Sequence, residues 1–258
     1  MSDRAVSARD LHGSVALVTG ASRGLGRACA LALAEAGADL ALTARSAADL
    51  TTVAGEAAKH GVRVETFRAD LREPAAIEAM VAGALTAFGR IDVLVNNAGI
   101  AGAEKPFLEL EPADWDEVLA VDLRAPALCA RAAARAMVAR RRGRIINIAS
   151  IGATVPAARL APYCASKAGL VQLTRVMALE LARHNVQVNC VCPGYFATPM
   201  NEAFFATAAG QAAIARAVPM RRPGDPAELG PMIVFLASDA SSFMTGSVVT
   251  VDGGQSLS

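Results

Sequence analysis

Thr19-Gly20-Ala21-Ser22-Arg23-Gly24-Leu25-Gly26 joins an apolar run, Val15–Thr19, to an alanine-rich stretch with helical periodicity. Three glycines let the chain turn tightly and bring its backbone against a ligand, and a helix that begins there points unpaired amides outward. A pyrophosphate fits such a turn, with Gly20, Ser22, Arg23, Gly24, Leu25 and Gly26 around it. The spacing alone also suits a turn that only packs, but its place directly after a first strand favours the ligand.

The same alternation continues down the chain. Strands are predicted at Val15–Thr19, Leu40–Ala44, Arg63–Phe67, Asp92–Asn96, Arg144–Ala149, Gln187–Val191 and Val248–Val251. Helices are predicted at about Gly24–Ala36, Ala47–His60, Pro74–Phe88, Ala113–Arg140, Ala161–His184 and Pro226–Ala237. No linker, repeat or low-complexity block divides residues 1–258, which predicts one α/β domain of doubly wound type with helices flanking a parallel sheet. The stretch from Gly194 to Pro219 reads as irregular, gathers Phe196, Phe204 and Phe205, and suggests a lid over about 194–219. Arg140, Arg141 and Arg142 precede Gly143 and suit a helix C-terminus, where cations complement the dipole and glycine caps.

Composition narrows the function. Of 258 residues, 53% are hydrophobic and 19% charged, enough apolar material for a substantial core, and no apolar run reaches the ~18 residues of a membrane span. Lysine and arginine number 25 against 24 acidic residues, a net charge of +1, which argues against a nucleic-acid or anionic-membrane surface and for a small-molecule ligand. Met1 to Asp10 is polar without an apolar segment, so a cytoplasmic protein is expected. Five cysteines and three scattered histidines form neither a disulfide framework nor a metal-binding pattern. Only 4% of residues are aromatic and two are tyrosines, so Tyr163 carries information.

The strand ends supply candidate contacts. The second strand ends Leu42-Thr43-Ala44-Arg45, without the acidic residue that binds ribose hydroxyls in dinucleotide folds; Arg45, with Arg23, suits a 2′-phosphate and predicts NADP(H) in preference to NAD(H). Asp70-Leu71 follows the third strand, where a carboxylate can accept from an adenine amino group or simply begin a helix. Asn96-Asn97-Ala98-Gly99 ends the fourth, with small residues at Ala98 and Gly99 beside the ligand and amides that can tie strands together.

Tyr163 and Lys167 stand four apart on one face of a predicted helix. An ammonium beside a phenol favours the phenolate, which tunes it for proton donation and acceptance near neutrality. Ser150 ends the fifth strand, positioned to hydrogen-bond a substrate oxygen.

Taken in order, these motifs resemble the classical short-chain dehydrogenase/reductase family from about Gly13 to Gly254. The likeness rests on Thr19-Gly20 through Gly26, Asn96 to Gly99, Ser150, Tyr163-Cys164-Ala165-Ser166-Lys167, Pro193-Gly194 and Val251-Asp252-Gly253-Gly254. It implies a single Rossmann-type domain with a seven-stranded parallel sheet, usually in a homotetramer or homodimer. It further implies a CH–OH oxidoreductase in which Tyr163 protonates the carbonyl as hydride arrives, Lys167 holds the nicotinamide ribose and Ser150 orients the carbonyl. Pro193, Gly194 and Phe196 would line the nicotinamide, Thr198 would reach its carboxamide, and Asn97 to Gly99 would lie along the adenosine ribose.

One position departs from that pattern. Many members have asparagine, completing a catalytic tetrad, where this chain has Asp122 within Val121-Asp122-Leu123. A carboxylate near Lys167 favours the ammonium and opposes its field at the tyrosine, which predicts an active enzyme whose oxidative optimum is alkaline relative to Asp122→Asn.

Substrate is less constrained. The stretches Pro193–Asn201 and Phe235–Phe243 are similar to gluconate 5-dehydrogenase-like and 3-oxoacyl-carrier-protein reductase-like members. A lid with Phe196, Met200, Phe204 and Phe205 suits a partly apolar carbonyl or alcohol, whereas Arg159 is available to a substrate anion or to solvent. Arg131, Arg135 and Arg140 to Arg142 could meet an acidic carrier. An inactive NADP-binding regulatory protein is the rival class, and the intact Ser150, Tyr163 and Lys167 argue against it.

Overall fold

Five short runs rich in Val, Leu, Ile and Ala lie side by side with their side chains buried on both faces, as a parallel sheet covered by helices requires, and two less buried runs, Val64–Arg68 and Val248–Val251, edge them. A computed structural model describes residues 10–199 and 201–257. The strands are β1 (Val15–Thr19), β2 (Asp39–Ala44), β3 (Val64–Arg68), β4 (Val93–Asn96), β5 (Gly143–Ile148), β6 (Val186–Pro193) and β7 (Val248–Val251). All pair in parallel in the order β3-β2-β1-β4-β5-β6-β7. The architecture is the expected Rossmann-type doubly wound α/β sheet, and each predicted strand lies within two residues of its position at either end.

Helices α1 (Gly24–Glu35), α2 (Ala47–Ala58) and α3 (Pro74–Phe88) follow the first three strands. Next come α4 (Pro112–Leu119), α5 (Ala125–Arg140) and α6 (Ala161–Leu181), then the short α7 (Glu202–Phe205), α8 (Ala208–Ala217) and α9 (Gly230–Ala237). One core layer packs α1, α2 and α9 on the sheet through Cys29, Ala30, Leu33, Leu50, Ile233 and Leu236. The opposite layer packs α3 and α5 through Ile77, Met80, Cys129, Ala133 and Met137. Small residues bring the helices close: a Cβ on Gly230 would sit 2.7 Å from Ala32 Cβ, across the α1–α9 contact.

Three expectations need correction. The single helix predicted over Ala113–Arg140 is interrupted by a π-helical turn, Ala120–Arg124, between α4 and α5. Pro126 lacks the N–H that would continue the α ladder, and a π turn accommodates the gap. The stretch from Gly194 to Pro219 is not irregular, because it holds α7 and α8; Met200 lies outside the described residues. Gly143 does not cap α5 either. Arg141 takes the left-handed conformation at φ 50°, and Gly143 opens β5 against Met137.

All five cysteines are free thiols. Among the described residues no helix is long and apolar enough to cross a membrane, and no cluster of His, Cys, Asp or Glu is placed to hold a metal.

Candidate active site

Chain order reverses between β1 and β4, and the loops leaving their C-terminal ends part to form a crevice of the kind that binds ligands in open α/β sheets. The glycine turn lines it. Gly20 and Gly24 have φ of 65° and 55°, a region costly for any other residue. A Cβ on Gly20 would lie 2.8 Å from Ala98 Cα, and one on Gly26 would lie 2.2 Å from the Gly20 carbonyl oxygen. Asn97 holds this cradle, its Nδ2 donating to the carbonyls of Thr19 (3.0 Å) and Gly20 (3.2 Å). Thr19 Oγ1 accepts in return from the amides of Asn97 and Ala98. Arg23 precedes α1 without a side-chain cap, and no acidic residue occupies the first turn, so the helix amides beside Ser22 and Leu25 meet the crevice unscreened. A cradle that a single methyl would fill, facing bare amides, fits the pyrophosphate of a dinucleotide.

The outer rim of the crevice is basic. Arg45 is exposed at the end of β2, and Leu71 is buried behind the next strand end. Both oxygens of Asp70 are held by Arg72, at 2.5 Å for the closest approach, and this bond pulls the Asp70 carboxyl down to about 2. Asp70 is thus ionised and tethered, with its remaining lone pairs open to an amino group.

Ser150, Tyr163 and Lys167 meet at the C-terminal ends of β5 and β4. Ser150 Oγ accepts from the Gly152 amide at 3.0 Å, which fixes the hydroxyl and leaves its proton to donate. A Cβ on Gly152 would lie 3.3 Å from the Tyr163 ring and 3.4 Å from Ser150 Oγ, so the glycine lets both side chains reach one space. Among the described residues the Tyr163 hydroxyl takes no hydrogen bond. Lys167 Nζ lies 5.6 Å from the centre of the Tyr163 ring and donates to the Ile148 carbonyl at 3.3 Å.

Asp122 projects from the π turn and is wholly buried. Its Oδ1 accepts from the Ile100 amide at 2.9 Å. Its Oδ2 stands 3.1 Å from Lys167 Nζ, off the direction of a hydrogen bond, so the contact is an ion pair in which Oδ2 itself takes no hydrogen bond. A Cβ on Gly99 would lie 3.1 Å from each of these two atoms. Burial pushes the Asp122 carboxyl up, and Lys167 and the Ile100 amide offset this only in part. Burial also pushes Lys167 down, but Asp122 and Tyr163 outweigh it and hold the ammonium above the usual lysine range.

The far wall comes from β6 and the segment after it. Gly194 allows Asp252 to pack close, a Cβ there lying 2.6 Å from Asp252 Cβ. Phe196 is not part of the expected aromatic cluster: its ring is only 4% exposed and packs on Gly224 in the core. Tyr195, pointing the other way, takes that place, 5.5 Å from Phe205, which is 6.0 Å from Phe204. Thr198 approaches the glycine turn to 3.6 Å of a Cβ on Gly24 and is tied down through Asn201, whose Nδ2 donates to the Phe196 carbonyl. Arg159, at φ 68°, donates to the Glu104 carbonyl at 2.8 Å, bridging the loops on either side of Ser150. Sequence reading missed Ile100, Gly152 and Asn201, which touch the site through backbone or fine spacing and carry no chemical signature of their own.

A family model described as enoyl-(acyl carrier protein) reductase matches residues 20–256. The chain is 40% identical over 250 residues to 2-dehydro-3-deoxy-D-gluconate 5-dehydrogenase of Escherichia coli, covering 96% of this chain and 98% of that one. It is also 40% identical over 249 residues to (2S)-[(R)-hydroxy(phenyl)methyl]succinyl-CoA dehydrogenase subunit BbsD of Thauera aromatica, with the same coverage. A solved short-chain type dehydrogenase/reductase from Mycobacterium marinum superposes with a TM-score of 0.90 at 39% identity, covering 96% of this chain and 97% of that one.

Proposed function

Because the chain belongs to the short-chain dehydrogenase/reductase family, we propose that it interconverts a ketone and a secondary alcohol using NADP(H), with Tyr163 as acid and base. One observation carries the reading: Gly152 brings the Ser150 hydroxyl and the Tyr163 ring to a common space beside the buried ammonium of Lys167. In reduction Tyr163 gives its hydroxyl proton to the carbonyl oxygen, and in oxidation it takes the alcohol proton back. Ser150 donates a hydrogen bond to the same oxygen and orients it. Lys167 stabilises negative charge on the phenol oxygen and is itself kept charged by Asp122. The cofactor, when bound, supplies or accepts the hydride. Gly20 to Gly26 would hold its pyrophosphate, Arg23 and Arg45 its 2′-phosphate, Asp70 and Leu71 its adenine, Asn97 to Gly99 its ribose, and Pro193, Gly194, the main chain at Phe196 and Thr198 its nicotinamide end.

For substrate, a hydroxy acid or keto acid of sugar-acid size agrees with the relative that acts on 2-dehydro-3-deoxy-D-gluconate. The acyl-carrier reading is weaker, because Arg131, Arg140 and Arg142 pair with Glu78, Asp92 and Asp239, which leaves Arg135 and Arg141 as the patch's cations without an acidic partner among the described residues. Residues 194–219 serve as the lid on one domain. The free thiols suit a reducing cytoplasm, and the exposed Val176 and Leu179 on α6 suit burial in a homotetramer.

A panel of keto acids, keto sugars, cyclic ketones and acyl thioesters, assayed with NADPH and NADH by absorbance, tests this reading. Turnover of a carboxylate-bearing ketone with NADPH favoured is expected. Absence of turnover with every carbonyl would overturn the activity, and better use of NADH throughout would overturn the cofactor preference.

A further inference from the structure

The crevice ends at the rim in a cavity of about 360 Å³ lined by Arg45, Arg68, Ala69, Asp70 and Ala76. Arg68 closes β3, and in the sheet register its Cα partner is Ala44, the last residue of β2. Neighbouring parallel strands stand about 5 Å apart, so these two side chains leave the sheet together on one face. Ala44 offers only a methyl there, which gives the guanidinium room and places no carboxylate against it. Arg68 Nε donates to the Arg45 carbonyl at 3.2 Å, which fixes the stem and leaves the terminal nitrogens as donors.

Charge in this cavity is unbalanced. Asp70, its one acid, is taken by Arg72. Neither Arg45 nor Arg68 makes an ion pair with an acidic residue among those described. A phosphate monoester carries a charge of about −1.5 to −2 near neutrality and three acceptor oxygens, so it can take donors from several guanidiniums at once.

We propose that Arg68, beside Arg23 and Arg45, is a further specificity-determining residue for the adenosine 2′-phosphate, closing with Arg45 around it. This rests on the NADP(H) reading above and adds a residue from β3 that motif spacing does not mark. Arg68 then contributes to affinity only when a 2′-phosphate is present.

Calorimetric titration with adenosine 2′,5′-bisphosphate and with 5′-AMP tests it, because the two differ only in the 2′-phosphate. Wild type should bind the bisphosphate more tightly, and Arg68→Ala should weaken it roughly 10-fold while changing 5′-AMP less than about 2-fold. Arg68→Lys, which keeps the charge without Nε, should retain part of the discrimination. If wild type binds both ligands equally, the NADP(H) reading itself falls. If wild type discriminates and Arg68→Ala discriminates as well, or if Arg68→Ala loses both ligands equally, the role of Arg68 is overturned while that reading stands.

Discussion

Asp122 and Lys167 form an ion pair of 3.1 Å inside the protein, the carboxylate wholly buried and the lysine 4% exposed. Each partner is costly to bury alone, and the pair keeps Lys167 charged beside Tyr163. Lys167 is held above its usual range, so its ammonium persists across the working pH, and Asp122 opposes its field at the phenol. Replacing Asp122 with asparagine removes the opposing charge and should move the rising limb of the oxidative pH–rate profile toward lower pH. Superimposable profiles for the two proteins would dismiss the idea.

Tyr163→Phe removes one hydroxyl and leaves the ring against Gly152 and Lys167. Turnover should fall by roughly 10²–10⁴, while cofactor affinity, measured by fluorescence titration, stays within about 2-fold. A variant that turns over normally would remove Tyr163 from the proton transfer.

Gly26→Ala places a methyl 2.2 Å from the Gly20 carbonyl oxygen and 2.3 Å from Asn97 Nδ2. The Asn97 bonds that brace the turn must break or the backbone must shift, at about 3 kcal/mol or more, and cofactor affinity should drop with stability. Gly55→Ala is the contrast: it lies in α2 with nothing within 4 Å and should stabilise by about 0.5–1 kcal/mol. Melting curves of both variants decide, and equal behaviour would contradict the close-packed turn.

Asp92, below the sheet, accepts from Arg90 at 2.6 Å, from the Val15 amide at 3.0 Å and from Arg140 at 3.1 Å. Burial pushes its carboxyl up, but these donors outweigh it, so its pKa is depressed. Its stabilisation is therefore complete above the ordinary aspartate pKa and is lost as pH falls through the depressed one. Asp92→Asn should cost about 2 kcal/mol at neutral pH, with the gap to wild type narrowing on acidification below about pH 4. Denaturant titrations at several pH values check this, and a gap independent of pH would refute it.

Much of the site was readable from short windows. The glycine turn after β1 and the four-residue spacing of Tyr163 and Lys167 depend on geometry within one turn or one helix, which a run of ten residues already dictates. The break in the predicted helix over Ala113–Arg140 was hidden because Ala, Leu and Arg support α and π turns alike, and only Pro126 marked the missing donor.

By itself the sequence determined the strand–helix alternation and the crevice-forming turn, since periodicity and local backbone chemistry act between near neighbours, and it put Ser150, Tyr163 and Lys167 forward through the order of their motifs. Tertiary structure alone decided that the Asp122 carboxylate is wholly buried and held by the Ile100 amide, that Arg68 stands beside Ala44, and that Phe196 turns into the core while Tyr195 turns out. Those relations follow from strand register and from packing between elements distant in the chain, where one residue of slip would send each side chain to the opposite face.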